Sequence, residues 1–523
     1  MNNSKKEQNA IILAAGYGIR MIPINTEIPK GLIHIEDEIL IERLIKQLHE
    51  ADIYKITIVV GYMKESYNYL TDKYSVNLVE NDDFMVKNNL HSLNLVRQEI
   101  NNTYIIPCDI WCRENPFLFD GQDSWYMVSE EINHNANLKV NEFNELIRSQ
   151  NIKNESSMIG ICYINNQIKD KVINRLSEFD NDERYDNCFW EEILFEDNKM
   201  IIKPRFIDST SVYEINTYEE LRKIDSKSQS LNNEVITLIS KELNVSTHEI
   251  YNVEALKKGM TNRSFMFCCR DKKYIMRIPG EGTEKLINRK NEAQVYNLVN
   301  KYGISDKLIY INPVNGYKIT EYINNSRNCD ANNINEVKAC MKTLREFHKL
   351  NLKVSYEFDL FGQIEFYEKL RNGNKSIFED YEETKEKVYE LKRYIDLQPK
   401  DYTLTHIDAI PDNFLFYDDK VKMIDWEYAS MQDPHLDIAM FAIYSYYDKE
   451  QVDKLIDLYF DNNCEKSIRL KIYCYIAVCG LLWSNWCEYK LALGVQFGEY
   501  LQIQYNYAKT YYEIVEEEMV KSV

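Results

Sequence analysis

Two groups of residues in this 523-residue chain have the types and spacing that chemistry on phosphate groups requires. In the first, the run Leu13–Arg20 places Gly16 and Gly18 after an apolar segment, where glycine lets backbone N–H groups approach a phosphate closely. Arg20 adds a permanent forked cation, and Lys30, which follows a proline, adds a second positive charge. A glycine turn alone is common between strands and helices, but the added cations favour a triphosphate site.

The second group follows the pattern H-x-D-x(4)-N and then I-D-x-E, and it begins at His406. Asp408 and Asn413 share one loop, so one can meet a substrate hydroxyl while the other meets Mg²⁺. Asp425 ends a nearby apolar run and can bridge Mg²⁺ to phosphates, with Glu427 two residues later. The alternative is a hydrophilic loop without function, and the complete pattern disfavours it.

The elements that must position these residues differ between the two halves of the chain. In the first half, short apolar runs that end at glycine or aspartate alternate with helical spacing, which indicates a parallel sheet in an α/β fold. The predicted strands are 11–15, 56–60 and 104–106, and a helix is predicted over 40–50. The polar, aperiodic segment 223–233 is the predicted linker.

Beyond that linker the pattern changes. A strand pair is predicted within 265–278, around Asp271 and Lys272, and the chain beyond 331 is mostly helical apart from a strand-rich patch at 403–425. We find no internal repeat. The two halves are therefore predicted to be different folds, joined end to end.

The composition excludes several classes of protein. The chain has 63 Lys plus Arg and 83 Asp plus Glu, a formal charge of −20, and so acidic a surface repels a nucleic-acid backbone. Its 12 cysteines form neither a C-x-x-C pair nor a Cys/His cluster, so reduced thiols are expected rather than a zinc site.

Location is predicted from two further features. The first residues lack the pattern of a signal peptide, and the longest apolar stretch, 476–483, is too short to span a bilayer. We therefore expect a cytoplasmic chain with small-molecule partners, no nucleic-acid partner and no membrane insertion. Whether the chain forms a homo-oligomer is left open.

The first group resembles the nucleotidyltransferase signature L-x-A-G-x-G-x-R followed by P-K. Within that superfamily, residues 10–221 are similar to bacterial phosphocholine cytidylyltransferases. The similarity extends to Val60–Tyr62, Glu80–Asp82, Asn88–Leu93, Asp109, Phe189–Trp190 and Val212–Ile215.

This resemblance implies that a substrate phosphate attacks the α-phosphorus of CTP and that pyrophosphate leaves. It implies Arg20 and Lys30 as catalytic cations and Asp109 and Glu214 as ligands of Mg²⁺. The implied nucleotide-binding residues are Leu13, Ala14, Ala15, Gly16, Tyr17, Gly18, Asn88 and Ser92. A quaternary ammonium is held by aromatic faces and carboxylates, and the candidates for that role are Trp190, Glu191 and Glu192.

The second group resembles the catalytic and metal-binding segments of kinase-like phosphotransferases. Residues 254–500 are similar to bacterial choline kinases of the choline/ethanolamine kinase family, including the Arg-Ile-Pro-Gly run at 277–280 and Leu-Ile-Asn-Arg at 286–289. Gly259–Phe265 resembles the loop that covers the ATP phosphates.

The kinase resemblance implies roles for particular residues. Arg277 stands where protein kinases use a phosphate-pairing lysine, and Glu292 would orient it. The implied ATP-binding residues are Asn262, Arg277, Glu292, Glu321, Tyr322 and Ile323, the last three forming the hinge. Asn413 and Asp425 would hold Mg²⁺, and Asp408 would accept the proton of the substrate hydroxyl or orient that hydroxyl.

Choline would be bound by Asp408 together with an aromatic and acidic set: Glu427, Tyr444, Trp483 and Trp486. Trp483 and Trp486 are three residues apart, so they share one face of a helix, where core packing is the alternative role. Asp437 either adds acidic character to this pocket or fixes the catalytic loop.

The predicted fold class is an α/β nucleotidyltransferase domain with a Rossmann-like mixed sheet, fused to an α+β bilobal kinase-like domain. The predicted boundaries are 1–228, 229–325 for the N-lobe and 326–523 for the C-lobe. The two resemblances together imply a bifunctional enzyme that phosphorylates choline with ATP and couples phosphocholine to CTP, for the decoration of a bacterial surface polymer.

Other functions stay open from the sequence alone. They are the same reactions on ethanolamine or another amino alcohol, a sugar-phosphate nucleotidyltransferase fused to a small-molecule kinase, and a protein that keeps both folds without chemistry. The complete set of candidate catalytic residues disfavours the last.

Overall fold

The computed structural model describes residues 7–118, 123–132, 138–148, 156–256, 262–280, 283, 286–371, 373–493, 495 and 497–521. The chain forms two compact units, Met1–Leu256 and Lys257–Val523. Part of the predicted phosphate-covering loop, residues 259–261, lies outside the described residues.

The first unit is built around a seven-stranded mixed sheet. Its strands lie in the order Lys203–Ile207, Trp125–Ile132, Ser156–Ile164, Thr103–Pro107, Asn9–Ala14, Lys55–Val60 and Asn77–Glu80. Asn9–Ala14 is central and pairs in parallel with both Lys55–Val60 and Thr103–Pro107, which confirms the three predicted strands and the mixed α/β fold. Ile12 belongs to one apolar cluster and Ile11 to another, as expected for a strand buried on both faces.

Helices and smaller sheets surround this sheet. The helices are Leu40–Glu50, as predicted, Tyr69–Tyr74, Asn89–Leu95, Lys169–Asp180, Tyr218–Ile224 and Glu234–Leu243. A four-stranded sheet has the order Phe195–Glu196, Lys199–Met200, Leu146–Arg148 and Leu138–Val140. Two-stranded pairs are His34–Ile35 with Glu38–Ile39 and Ile110–Cys112 with Val212–Glu214, and Tyr251–Ala255 is a further strand.

The segment predicted as a linker is packed structure within the first unit. Ser228 Oγ donates to the His34 carbonyl at 2.6 Å, and His34 N–H donates to Ser230 Oγ at 3.0 Å. Tyr218 OH donates to the Leu231 carbonyl at 2.9 Å. These specific contacts, which polarity and lack of periodicity did not reveal, hold the segment, so the units divide after Leu256 and not at the predicted residue 228.

The second unit combines an antiparallel sheet with a helical region, as the kinase-like fold class predicts. Asn262–Cys269 pairs with Lys272–Pro279, which pairs with Lys318–Glu321, which pairs with Leu308–Ile311. Arg270 and Asp271 both have positive φ in the predicted hairpin turn. Short pairs follow, Thr403–Thr405 with Ser430–Gln432, and Arg327–Asn328 with Phe414–Tyr417 and then Lys420–Met423.

The helices of this unit are Arg289–Val299, Ile334–Lys349, Leu360–Leu370, Tyr381–Leu397, His435–Tyr444, Lys449–Phe460, Lys466–Leu491 and Tyr500–Val520. Lys466–Leu491 is long and apolar enough to cross a membrane, but 78% of its most apolar window is buried inside the protein. Its burial against neighbouring helices identifies it as the central core helix of this unit. The predicted lobe boundary at 325 stays a prediction.

The close approach of Lys466–Leu491 and Tyr500–Val520 depends on Gly480. A Cβ at this position would lie 2.6 Å from the Gln504 carbonyl oxygen and 2.8 Å from the Ala508 nitrogen. Both are backbone atoms, so they can make room for a Cβ only if the two helices move apart.

We therefore expect Gly480→Ala to lower the free energy of unfolding of the second unit by about 1–3 kcal/mol. The measurement is urea unfolding followed by hydrogen exchange in peptides of residues 466–521. Lys466→Ala, at an exposed position of the same helix, is the control and should change stability little. Equal stability of the two variants would show that the helices do not require glycine here.

Candidate functional sites

The glycine turn of the first unit follows directly from the central strand Asn9–Ala14. Gly18 has a φ of +63°, a left-handed conformation that glycine adopts without strain. Gly61 allows the neighbouring strand end to pass beneath this turn, since a Cβ there would lie 2.8 Å from the Ala15 carbonyl oxygen. The N–H of Tyr62 donates to that same oxygen at 3.0 Å. This hydrogen bond from Tyr62 fixes the backbone of the turn at Ala15.

Two cations meet beside the turn. Arg20 Nη2 donates to Asn216 Oδ1 at 2.8 Å, and Lys30 Nζ donates to the same oxygen at 2.9 Å. Lys30 also forms an ion pair with Asp109. Sequence reasoning missed Asn216, although it lies two residues after Glu214 and just before the Thr217 cap of a helix.

A short strand pair brings two carboxylates together. Val212–Glu214 runs antiparallel to Ile110–Cys112, and the N–H of Ile215 donates to the Asp109 carbonyl at 3.0 Å. Partial removal from water, and then the charge of Asp109, raise the pKa of Glu214. Within the described residues, the buried Asp109 Oδ1 has no hydrogen-bond partner. Two repelling carboxylates and an unsatisfied oxygen fit a divalent cation that takes oxygen ligands, such as Mg²⁺.

A third carboxylate, Glu191, lies near this pair. Tyr126 OH donates to Glu191 Oε1 at 3.0 Å, and Glu191 Oε2 has no partner among the described residues. Burial raises the pKa of Glu191 to about 7; hydrogen bonds oppose this shift, and the charges of Glu214 and Asp109 add to it. Glu191 can therefore gain or hold a proton more readily than an ordinary glutamate.

One cavity of about 1000 Å³ joins these groups. Most of the predicted residues of this half line it, namely Leu13, Ala15, Gly16, Tyr17, Gly18, Arg20, Lys30, Asn88, Ser92, Asp109, Glu191, Glu192 and Glu214. Ser92 is buried and accepts a hydrogen bond from Asn81 at 2.9 Å, while Asn88 caps the helix Asn89–Leu95. Glu192 forms an ion pair with Arg148 at 2.5 Å.

Two predicted residues are not in this cavity lining. Trp190 is fully buried and packs against Tyr126, with 6.2 Å between ring centroids, so its predicted contact with a ligand is not met. Its neighbour Phe189 lines the cavity and is 64% exposed, so it offers an aromatic face that Trp190 does not. Ala14 packs in the core beneath the turn.

In the second unit, one buried carboxylate fixes the loop of the H-x-D pattern. Asp437 accepts hydrogen bonds from the N–H groups of His406 at 2.9 Å and Ile407 at 2.8 Å. His348 Nε2 lies 3.0 Å from the same carboxylate. Ile407 has a φ of +69°, an unfavourable conformation for a β-branched residue, which these bonds stabilise. Asp437 therefore positions the loop.

The loop presents Asp408 beside other acids. Asn413 Nδ2 donates to the Asp408 carbonyl at 2.9 Å and to Asp408 Oδ2 at 3.1 Å. Burial, and then the charges of Asp425 and Glu427, raise the pKa of Asp408 to about 8. A carboxylate with so high a pKa accepts a proton from a neighbouring group more readily than an exposed aspartate.

Arg277 is the centre of a buried network of charges. It forms a two-pronged ion pair with Glu292 and donates to the Gly316 carbonyl at 2.8 Å. It also lies 3.8 Å from Glu427 and 4.0 Å from Asp425. Burial by itself raises the pKa of Glu292, but the charge and hydrogen bonds of Arg277 outweigh it and bring that pKa to about 2. The predicted pairing of Arg277 with Glu292 is present.

The same network engages Glu427. Asn262 Nδ2 donates to Glu427 Oε2 at 3.0 Å, and Arg289 Nη1 lies 3.5 Å from that oxygen. Glu427 thus faces the protein's own cations and Asn262, which places it in the charge network rather than in an open amine pocket.

The residues predicted to bind Mg²⁺ form pairs rather than larger clusters of ligands. Among the described residues, no group of three or more His, Cys, Asp or Glu side chains is placed to hold a metal ion. Asn413 and Asp425 in the second unit supply oxygen donors, as Asp109 and Glu214 do in the first, and Mg²⁺ commonly completes its shell with water and substrate phosphates.

The predicted hinge residues begin at Glu321, the last residue of the strand Lys318–Glu321. Glu321 forms surface ion pairs with Lys307 at 3.0 Å and Lys272 at 3.4 Å, and the N–H of Tyr322 donates to the Lys273 carbonyl at 2.9 Å. These contacts anchor the segment, and nucleotide binding by Glu321, Tyr322 and Ile323 stays a prediction.

Trp483 and Trp486 lie on the core helix Lys466–Leu491 and are 6% and 4% exposed. Their rings meet edge to face with 5.7 Å between centroids, and Tyr428 and Phe497 pack on them. The predicted cage between the two indoles is therefore closed, and an ammonium ion reaches it only if an aromatic side chain moves.

The remaining candidate, Tyr444, lies beside this cluster. Its hydroxyl donates to Asp412 Oδ2 at 2.9 Å, and its ring centroid is 6.1 Å from that of Tyr500. Tyr444 thus links the loop that carries Asp412 and Asn413 to the aromatic side chains.

Comparison with known proteins gives a match for each unit. The family model for choline/ethanolamine kinase matches residues 253–476, and that for the MobA-like NTP transferase domain matches residues 10–115. A choline-phosphate cytidylyltransferase of Streptococcus pneumoniae is 30% identical over 220 residues, which are 41% of this chain and 96% of the relative.

Two further similarities concern the second half. Protein LicA of Haemophilus influenzae is 28% identical over 263 residues, which are 46% of this chain and 94% of the relative. A crystal structure of choline kinase LicA from Streptococcus pneumoniae is 28% identical, covers 54% of this chain and 99% of that chain, and has a TM-score of 0.48.

The buried charge network gives a test of stability. Arg277→Met leaves Glu292 and Glu427 buried with less positive charge nearby, so we expect the free energy of unfolding of the second unit to fall by about 3 kcal/mol or more. Lys454→Met, which breaks an exposed pair with Glu450, is the control, with an expected change within about 0.5 kcal/mol. Hydrogen exchange of peptides from 262–321 reports the change, and equal effects of the two variants would contradict the assigned role.

Proposed function

Because the chain joins a member of the choline-phosphate cytidylyltransferase family to a member of the choline/ethanolamine kinase family, we propose that it makes CDP-choline in two consecutive reactions. The second unit transfers a phosphoryl group from ATP to choline. The first unit then couples phosphocholine to CTP and releases pyrophosphate. The observation that carries this proposal is that two separate sets of cations and carboxylates stand on one chain, with the product of one reaction serving as substrate for the other.

In the kinase reaction, Asp408 accepts the proton of the choline hydroxyl as that oxygen bonds to the γ-phosphorus of ATP, and the bond from this phosphorus to the leaving ADP breaks. Its raised pKa suits a group that takes up a proton near neutral pH. Asn413 holds the Asp408 carboxylate by a hydrogen bond, and Asp437 fixes the backbone before it. Arg277, oriented by Glu292, neutralises charge on the ATP phosphates.

In the cytidylyl reaction, a phosphate oxygen of phosphocholine attacks the α-phosphorus of CTP, and the bond to pyrophosphate breaks. The residues need only align the two phosphates and neutralise charge. Arg20 and Lys30, joined through Asn216, supply that positive charge beside the glycine turn.

Mg²⁺ fits both sites as a cofactor: Asp109 with Glu214 would hold it in the first unit, and Asn413 with Asp425 in the second. When bound, it supplies positive charge to the triphosphate of CTP or ATP. We further place the chain in the cytoplasm, where these substrates are available, and propose phosphocholine decoration of a surface polymer as the use of the product.

The proposal also concerns which amine the two sites accept. The three predicted tryptophans, Trp190, Trp483 and Trp486, are all buried, while Phe189, Glu191 and Glu192 line the first cavity. A 2-aminoethylphosphonate cytidylyltransferase of Lancefieldella rimae is also similar, at 25% identity over 233 residues. Ethanolamine and related amines are therefore the second candidates.

The full chain, supplied with Mg²⁺, ATP, CTP and choline, should form ADP, pyrophosphate and CDP-choline, with products identified by mass. Ethanolamine, 2-aminoethylphosphonate and a hexose 1-phosphate form the comparison panel. A kcat/KM for ethanolamine above that for choline would replace the proposed substrate, and turnover of the hexose phosphate alone would overturn the proposed function of the first unit.

Variants at each site should separate the two reactions. Asp408→Asn removes the proton acceptor, so we expect kinase kcat to fall about 10²–10⁴-fold while CDP-choline formation from phosphocholine is unchanged. Lys30→Gln removes a charge from the first cavity and should lower cytidylyl transfer about 10²–10³-fold while ADP formation is unchanged. Each variant is the control for the other, and a loss of both activities in either one would contradict independent sites.

A further inference from the structure

A basic groove of about 800 Å³ lies in the second unit, and its lining contains none of the residues predicted to bind ATP, Mg²⁺ or choline. We define the basic groove by four cationic residues of its lining, Arg345, Lys349, Lys353 and Lys400. The helix Ile334–Lys349 forms one side of it, and Thr403 and His435 come from other segments. The groove is wide enough for a small metabolite.

The charge of this groove is opposite to that of the whole chain, which carries a formal −20. Arg345 is paired with the exposed Asp461, and Lys400 lies 2.7 Å from Asp396. Lys353 Nζ donates to the Tyr402 carbonyl, and within the described residues neither Lys349 nor Lys353 forms an ion pair. Asp401 is the acidic residue of the lining. The two lysines thus retain positive charge that can attract an anion.

The floor of the groove is polar and held by specific contacts. His348 Nδ1 lies 2.8 Å from Tyr459 OH, and the backbone N–H of His435 donates to Asp433 Oδ1 at 3.1 Å. Lys471 is fully buried and holds Asp433 at 2.6 Å. A bound anion would therefore meet lining side chains that these contacts hold in place.

The floor is connected to the loop that carries Asp408. The opposite nitrogen of His348, Nε2, lies 3.0 Å from Asp437, whose carboxylate holds the N–H groups of His406 and Ile407. Thr403, in the groove lining, also begins the strand that leads to His406. Two short connections, one through His348 and Asp437 and one through the strand that begins at Thr403, therefore link the groove to Ile407, the strained residue before Asp408.

We propose that the basic groove binds a small phosphorylated metabolite and that its occupancy changes turnover at Asp408 through His348 and Asp437. Binding is argued from the groove alone. The effect on turnover rests on the proposed kinase function.

Binding is tested with inorganic phosphate as the probe, at constant ionic strength, on the full chain with ¹³C-labelled histidine. The chain has eight histidines, and the signals of His348 and His435 should shift on titration. Lys349→Gln/Lys353→Gln should bind phosphate about tenfold more weakly or worse. Lys338→Gln/Lys342→Gln removes two exposed charges from the same helix and should bind as the unchanged chain does. Equal weakening in both double variants, or no shift of these two signals, would overturn the site.

The effect on turnover is tested by comparing kinase kcat in saturating phosphate and in chloride of equal ionic strength. We expect a change of at least about twofold in the unchanged chain and in Lys338→Gln/Lys342→Gln, and none in Lys349→Gln/Lys353→Gln. An unchanged kcat, or a change that survives in the groove variant, would overturn the connection. If the chain does not phosphorylate choline at all, the histidine signals still decide whether the groove binds phosphate, so the two failures are distinguishable.

Discussion

Both units gather carboxylates more closely than their charges favour, and much of the surrounding structure holds them in place. In the first unit a two-strand pair places Glu214 beside Asp109, and in the second Asp408 shares its surroundings with Asp425 and Glu427. Burial first, and the repulsion between neighbouring carboxylates after it, raises the pKa values of Glu214, Glu191 and Asp408. A bound cation lowers the cost of this repulsion, so the same arrangement that destabilises the free protein favours a metal–nucleotide complex.

The two units support their carboxylates in different ways. The first uses the ends of parallel strands, where Asn9–Ala14 and Thr103–Pro107 terminate side by side and carry the glycine turn and Asp109 to one edge of the sheet. The second uses Asp437, one side chain that fixes two consecutive backbone N–H groups and holds Ile407 in a strained conformation. Loss of a strand register would disrupt the first site, whereas loss of a single carboxylate disrupts the second.

The sequence predicted the elements that depend on local pattern. The three buried strands, the helix after residue 40 and the hairpin at Asp271 are present because apolar runs and turn residues specify them directly. Prediction from the sequence failed where contacts between residues far apart in the chain determine the structure. The polar segment 223–233 is packed by partners such as His34, nearly 200 residues away, and Asn216 joins Arg20 and Lys30 across a similar separation. Trp190 belongs to the core because Phe189, one residue earlier, takes the exposed position.

The edge-to-face packing of Trp483 and Trp486 affects how any amine affinity is to be understood. For a ligand that must reach these indoles, the observed dissociation constant is the intrinsic one divided by the fraction of molecules whose aromatic cluster has parted. Weak binding would then measure the rarity of that parted conformation rather than poor complementarity. A substitution that loosens Phe497 or Tyr428 would tighten apparent binding without adding a contact to the ligand.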